Sequence, residues 1–135
     1  MCLESIQEKL TRPKKMKFYK VFEFGTKKVY YGECRCRKTQ RKIGHIYREK
    51  SKKEIEACSG KRYRRGFHGF ITLKAAKKWS GNGTFTFSDK IILCEGMVRT
   101  IGKQCGSKTV VADTMELIRE VKVKVKVRDY WSQLA

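Results

Sequence analysis

Acidic residues are scarce in this chain, and the scarcity limits the chemistry that it can perform. Thirteen aspartates and glutamates stand against 33 lysines and arginines in 135 residues, which gives a formal net charge of +20. Metal-dependent nucleases hold their ions with carboxylates, and no paired carboxylates occur here. A P-loop, a Gly-x-Gly-x-x-Gly sequence and a His-Glu-x-x-His sequence are also absent. We therefore expect a binding protein rather than an enzyme, and no cofactor.

Long apolar runs are absent as well. No stretch approaches the ~20 residues that a membrane helix needs. The opening residues, Met1 to Ser5, have neither the basic start nor the apolar stretch of a secretory signal. Six cysteines in such a chain are typical of reduced thiols. We expect a cytoplasmic protein that is not secreted and has no membrane partner.

Proline is nearly absent, and its one occurrence divides the chain. Pro13 follows a segment with apolar residues at near-helical spacing, so residues 1–16 are predicted to form an N-terminal leader with a short helix. The apolar content of 40% is too high for a disordered basic tail. Residues 17–128 are therefore predicted to form a single domain, and residues 129–135 a C-terminal tail.

Most of the predicted domain has the residue pattern of strands. Aromatic and β-branched residues fill 18–24 and 29–31, which predicts a hairpin, and further strands are predicted over 84–87, 90–101 and 109–118. A turn is predicted over 102–108. Strict Val–Lys alternation over 121–127 predicts a strand with one charged face. Thr72 is a suitable N-cap for a helix that Ser80 to Gly83 would end. The expected fold class is α+β: a compact domain with a mainly antiparallel, twisted sheet or partial barrel and one main helix at about 72–79.

The charge excess is concentrated in residues 34–65, the basic segment. It has thirteen basic residues against three acidic ones and few apolar residues, so we predict a long loop with one short strand near Ile43–Tyr47. Lysine and arginine neutralise phosphates and release counterions. Aromatic side chains among them, here Tyr47, Tyr63 and Phe67, add base stacking. The segment therefore predicts an anionic partner, either nucleic acid or a phosphate-bearing nucleotide.

The candidate anion-binding residues lie in this segment, in the sequence that follows it and near the C-terminus. They are Arg35, Arg37, Arg41, Arg62, Tyr63, Arg64, Arg65, His68, Lys74, Lys122, Lys124 and Lys126. Arg62, Arg64 and Arg65 are the preferred contacts for nucleic acid, and the glycines around His68 would allow a ligand to approach closely. An alternative is that Tyr63, Arg64, Arg65, His68 and Lys74 surround a small nucleotide.

The cysteines do not form a standard metal motif. Cys34 and Cys36 would point to the same face of a strand and could converge on a metal, but structural zinc sites have two pairs at wider spacing. We expect ordinary thiols and no metal. Removal of Met1 would leave Cys2 as an N-terminal nucleophile, but the sequence offers no oxyanion donor that can be assigned to it.

Several short motifs resemble a group of small, uncharacterised proteins of bacteriophages and large DNA viruses. They are Met1-Cys2-Leu3, Phe18-Tyr19-Lys20-Val21-Phe22, Gly66-Phe67-His68-x-Phe70, Thr72-Leu73-x-x-Ala75-Ala76-x-x-Trp79 and Val110-Val111-Ala112. The resemblance implies a viral accessory protein in the host cytoplasm but no established activity. It is compatible with nucleic-acid binding, or with counter-defence by sequestering a nucleotide or cyclic-oligonucleotide signal. Inhibition of a host nucleic-acid-guided defence complex, through an acidic host protein, is a further alternative.

Overall fold

A computed structural model of the protein describes residues 3–24, 30–31, 40–80 and 89–122. Among these residues, ten strands and one helix follow one another along the chain. Their bounds are β1 Ser5–Phe24, β2 Tyr30–Tyr31, β3 Gln40–Arg41, β4 Ile46–Arg48, β5 Glu54–Glu56, β6 Arg62–Arg64, β7 Phe67–Phe70, α1 Leu73–Ser80, β8 Asp89–Gln104, β9 Ser107–Ala112 and β10 Thr114–Val121.

Eight of these strands form one antiparallel sheet in the order β3-β2-β1-β7-β9-β8-β10-β4, and β5 pairs with β6 in a separate hairpin. The two longest strands, β1 and β8, pair along almost their whole length. At its other edge β1 pairs with β7, where Tyr19 lies opposite Phe70. Because β7 also pairs with β9, and β9 with β8, the pairings close a circuit of four strands, as in a small barrel.

The predicted α+β class is wrong, because the fold is rich in β-structure. The described residues contain a single helix of eight residues, beside strands of 20 and 16 residues. The long partner strands leave little chain for helices. Residues predicted as leader helix or loop belong instead to strands, and this shifts the balance towards β-structure.

The predicted leader helix is wrong, since residues 5–16 belong to β1. Pairing with β8 and complete burial of Leu3 outweigh the helical spacing of the apolar residues, because helix propensity is only a weak preference. Pro13 lies where the β1–β8 register shifts between Lys9 and Lys14, and at such an irregularity a missing N–H breaks no ladder bond. The leader is therefore part of the sheet.

The basic segment contains more strand than the sequence predicts. The described part holds β3, β4, β5 and β6, while the predicted strand at 43–47 is mostly turn, and β4 begins at Ile46. Gly44 has a φ of 84°, and the His45 N–H donates to the Lys42 carbonyl across this turn at 3.3 Å. In β5 and β6 single apolar residues alternate with charged ones, a pattern too short to recognise as strands from sequence.

Helix α1 begins after Thr72, whose Oγ1 accepts a hydrogen bond from the Ala75 N–H at 3.2 Å. Ala75 and Ala76 face inward and pack with Phe70 and Ile91 in a cluster of their own. The predicted helix end beyond Ser80 and the predicted strand at 84–87 lie outside the described residues. The small alanines let the helix lie close to the sheet.

Two further clusters complete the interior. The main core lies between strands and includes Phe18, Phe22, Ile92, Cys94 and Leu117. The β5–β6 hairpin covers a second, smaller cluster formed by Leu3, Ala57, Tyr63 and Val111. The hairpin and the helix are thus attached to the sheet through separate apolar contacts.

The turn and strands of the C-terminal half differ in detail from the prediction. The predicted turn at 102–108 is shorter: Cys105 and Gly106 alone form it, with φ of 50° and 72°, as in a type I′ hairpin. The predicted strand at 109–118 is divided at Asp113 into β9 and β10. The Val–Lys alternation is described only to Lys122, one residue beyond β10.

Candidate nucleic-acid interface

Two of the predicted contact residues, Tyr63 and His68, are interior residues. Their exposed fractions are 1% and 4%. The Tyr63 hydroxyl lies 2.8 Å from His68 Nε2, and it accepts a hydrogen bond from the Leu3 N–H at 2.8 Å. His68 Nδ1 lies 3.2 Å from the Gly66 carbonyl, so Nδ1 carries the proton and Nε2 accepts from Tyr63. The chain of bonds joins the N-terminal segment, β6 and β7, and the burial of both side chains excludes them as phosphate contacts.

The glycines of the Gly-Phe-His-Gly-Phe sequence allow the protein itself to approach, rather than a ligand. A side chain at Gly69 would collide with the Phe18 ring, and one at Gly66 would collide with the Ala112 carbonyl. A cavity bordered by His68, Gly69 and Trp79 has a volume of about 10 Å³. That is room for about one water molecule, so this cavity does not fit a nucleotide.

The arginines of the β5–β6 hairpin have acidic neighbours. Arg62 lies opposite Glu56 and Arg64 opposite Glu54 in the antiparallel register. Cross-strand partners on one face lie about 5 Å apart at Cβ, so each arginine has a carboxylate nearby that lowers the local positive potential, although in this described part of the chain the two side chains are not joined by an ion pair within 4 Å. Arg65 is exposed and follows the strand. The preferred arginines of the sequence prediction are therefore less available to phosphate than their charge implies.

The sequence of helix α1, LKAAKKWS, contains lysines but no acidic residue. Lys74, Lys77 and Lys78 are exposed. Residues three and four apart on a helix lie on one side, so the three ammonium groups project from the same outer surface. The predicted contact Lys74 therefore has cationic neighbours that the sequence prediction did not include.

The sheet register places further cations on the face that the helix covers. Lys15, Lys17, Tyr19 and Val21 alternate on one face of β1, with an unbroken register to β8. Because Tyr19 and Val21 pack in the helix cluster, Lys15 and Lys17 lie on the same face as α1. Arg119 of β10 also belongs to it, since it lies opposite Leu93, the β8 partner of Tyr19.

We call this surface the helix face, and its cations are Lys15, Lys17, Lys74, Lys77, Lys78 and Arg119, all exposed. Four acidic residues fall on it by register: Glu95, whose Oε1 is 3.2 Å from Lys15 Nζ, Glu116, opposite Glu95, and the cross-strand pair Glu23 and Asp89. Lys15 is thus partly compensated. Cations still outnumber carboxylates on this face.

Lys15 and Lys17 are not among the predicted contacts, because the predicted boundary between the leader and the domain falls between them. The signal was available: residues 9–17 contain five basic residues and no acidic one. The alternation of Lys15 and Lys17 with Met16 and Phe18 also indicates a strand with one charged face. The helical spacing of the apolar residues nearby predicted a helix instead of this strand.

The other predicted contacts are scattered over the molecule. Arg41 packs its guanidinium over the Tyr47 ring, 4.5 Å from the centroid, and 5.8 Å from that of Phe67. Lys122 is exposed just after β10. Four predicted contacts and the Cys34–Cys36 pair lie outside the described residues; these contacts are Arg35, Arg37, Lys124 and Lys126.

Three cysteines lie among the described residues. Cys58 and Cys105 are exposed and Cys94 is buried, and no group of three potential metal ligands occurs among the described residues. Burial raises the pKa of the Cys94 thiol to about 12, although the nearby Lys20 charge opposes the shift. Cys94 is therefore a protonated core residue rather than a nucleophile.

Comparisons with protein-family models, curated proteins and solved structures found no match to this chain. No helix in the described ranges has the length and apolar character needed to cross a membrane. The candidate interface therefore depends on the geometry and charge of the chain itself.

Proposed function

We propose that this protein binds nucleic acid through phosphate contacts made by the helix face. One observation carries the proposal: three exposed lysines of α1, without an acidic residue in the helix, share a face with Lys17 and Arg119. Clustered cations neutralise neighbouring phosphates and release condensed counterions, which favours binding most at low salt. Dispersed lysines would provide solubility without such a contact surface.

A matched pair of triple variants tests the interface. One variant is Lys74→Ala, Lys77→Ala and Lys78→Ala on the helix; the control is Lys50→Ala, Lys52→Ala and Lys53→Ala, three exposed lysines next to β5. Both variants remove three positive charges, so they have the same effect on net charge. Alanine is the best helix former and should leave α1 intact.

We expect the helix variant to weaken binding to a short single-stranded oligonucleotide much more than the control does. Each lost phosphate contact on a single strand lowers the slope of log K against log salt by about 0.7, so the slope should fall by up to about 2.1. Fluorescence anisotropy at several salt concentrations measures it. Equal losses in both variants would show that net charge alone attracts the nucleic acid, and the helix face would not be the interface.

The main competing partner is an acidic protein that the same lysines would contact. Capture of partners from a lysate, with and without nuclease, separates the two cases. Retention of one acidic protein after nuclease treatment, combined with no binding of purified nucleic acid at low salt, would contradict the proposal. The cavity bordered by His68 gives no support to a nucleotide-sequestering function.

A further inference from the structure

Cationic and aromatic side chains form a cluster near the edge strand β4. This cluster is not among the proposed phosphate contacts of the helix face. It consists of Arg41, His45 and Tyr47, and we call it the β4 stack. The His45 and Tyr47 rings are nearly parallel, with an interplanar angle of 20° and centroids 6.4 Å apart. The Arg41 guanidinium lies 4.5 Å from the Tyr47 centroid. Planar groups therefore follow one another from Arg41, at the end of β3, to Tyr47 in β4.

Hydrogen bonds fix the turn that presents the stack. The Tyr47 hydroxyl accepts from the Lys42 N–H at 2.8 Å, and the Gly44 N–H donates to the Leu117 carbonyl at 2.8 Å. A positive φ at Gly44 allows the turn to form. The His45 ring is thus presented from a turn that is ordered without a ligand, which lowers the entropic cost of stacking on it.

Exposure distinguishes the members of the stack. Tyr47 is half-buried and packs against the main core, whereas His45 is exposed. Lys42 is exposed in the turn before His45, and the Arg41 guanidinium lies over the Tyr47 ring. An accessible planar ring with cations close to it is an arrangement with which proteins bind single-stranded nucleic acid, because the ring stacks on a base and the cations contact phosphates.

We infer that the β4 stack binds an unpaired nucleobase, so that the nucleic acid bound by this protein is single-stranded. This inference rests on the proposed function and adds a base contact to its phosphate contacts. Duplex bases are already stacked on one another, so only an unpaired base is free to stack on His45. Stacking depends on the π-face that every base has, so little sequence preference is expected.

The test compares oligothymidylate with an abasic oligonucleotide that has the same number of phosphates, for the full chain and for His45→Ala and His45→Phe. Wild type should bind the oligothymidylate about tenfold more tightly than the abasic strand, within the range known for one stacked base. His45→Ala should abolish this preference and leave abasic binding unchanged. His45→Phe keeps a planar ring and should retain the preference.

The outcomes separate the inference from the proposed function. If neither strand binds at low salt, both fail. If the two strands bind equally, phosphate binding stands and the base contact is overturned; the same conclusion follows if His45→Ala keeps the preference. Displacement of the oligothymidylate by adenosine monophosphate at a matched base concentration would show a free-nucleotide site and overturn the single-strand assignment.

Discussion

The β5–β6 hairpin and helix α1 are both rich in basic residues, but they differ in how that charge is placed and in how each element is held. The hairpin sets Arg62 and Arg64 opposite glutamates, whereas the helix presents lysines with no acidic residue of its own. The hairpin is anchored by a buried tyrosine hydroxyl, the helix by small apolar side chains. The number of charges along a sequence therefore does not locate a cationic surface. The strand register, and the side of the helix on which the lysines lie, determine where the charges meet.

The largest expected effect concerns the anchoring of the two regions. Tyr63→Phe removes the hydroxyl that contacts Leu3 N–H and His68 Nε2, and it leaves both buried groups without this partner. Each such loss costs about 1–3 kcal/mol, so we expect the free energy of unfolding to fall by about 2–6 kcal/mol. Denaturant titration followed by circular dichroism measures this loss.

The helix region offers the matched control for that change. Tyr19 packs beneath α1, and its hydroxyl has no hydrogen bond within the described part of the chain. Tyr19→Phe should therefore change stability by about 0.5 kcal/mol or less. Similar losses in the two variants would contradict a specific polar anchor beneath the hairpin.

A pH titration tests the main core, to which neither region contributes a described residue. The Cys94 thiol has its pKa raised to about 12 in the folded state, against roughly 8.5 when unfolded. Above the unfolded value the unfolded chain loses this proton while the folded chain keeps it, so stability falls as pH rises. The loss approaches about 1.4 kcal/mol per pH unit.

The variant Cys94→Ala isolates this contribution from the titration of lysines and tyrosines, which both proteins share. Between pH 9 and 10 its stability should fall less steeply than that of wild type, whatever its stability at neutral pH. Parallel slopes in urea unfolding across this range would show that Cys94 ionises in the folded state as it does in the unfolded state.

The sequence predicted some of these features correctly at the level of single residues. Thr72 caps α1 because its hydroxyl accepts the Ala75 N–H, which is a local interaction that a sequence pattern can indicate. The fold class was wrong because β1 depends on pairing with β8, whose residues are distant in the chain: Glu23 pairs with Asp89 and Ser5 with Lys103. Local spacing of apolar residues contains no information about such a partner.

The candidate site was also only partly predictable from the sequence, because it too depends on residues that the fold brings together. Arg62 and Arg64 were reasonable contacts by charge alone, but only the β5–β6 register reveals the glutamates opposite them. Tyr63 lies in the basic segment and His68 follows it, and only the fold shows that they bond to each other inside the protein. The cations of β1 and α1 are distant in sequence, and the sheet brings them to one face.

The smallest expected effect tests the difference in charge placement between the β5–β6 hairpin and helix α1. Arg62→Gln with Arg64→Gln removes two cations whose neighbours are Glu56 and Glu54, so we expect nucleic-acid affinity at physiological salt to fall less than about twofold. The reverse pair, Glu54→Gln with Glu56→Gln, should raise affinity by a similarly small factor, less than about twofold, because it removes two negative charges near the same arginines. Anisotropy with the same short strand measures both. A larger loss in the arginine pair than in a Lys74→Gln, Lys78→Gln pair would place the interface on the hairpin, since each pair removes the same charge.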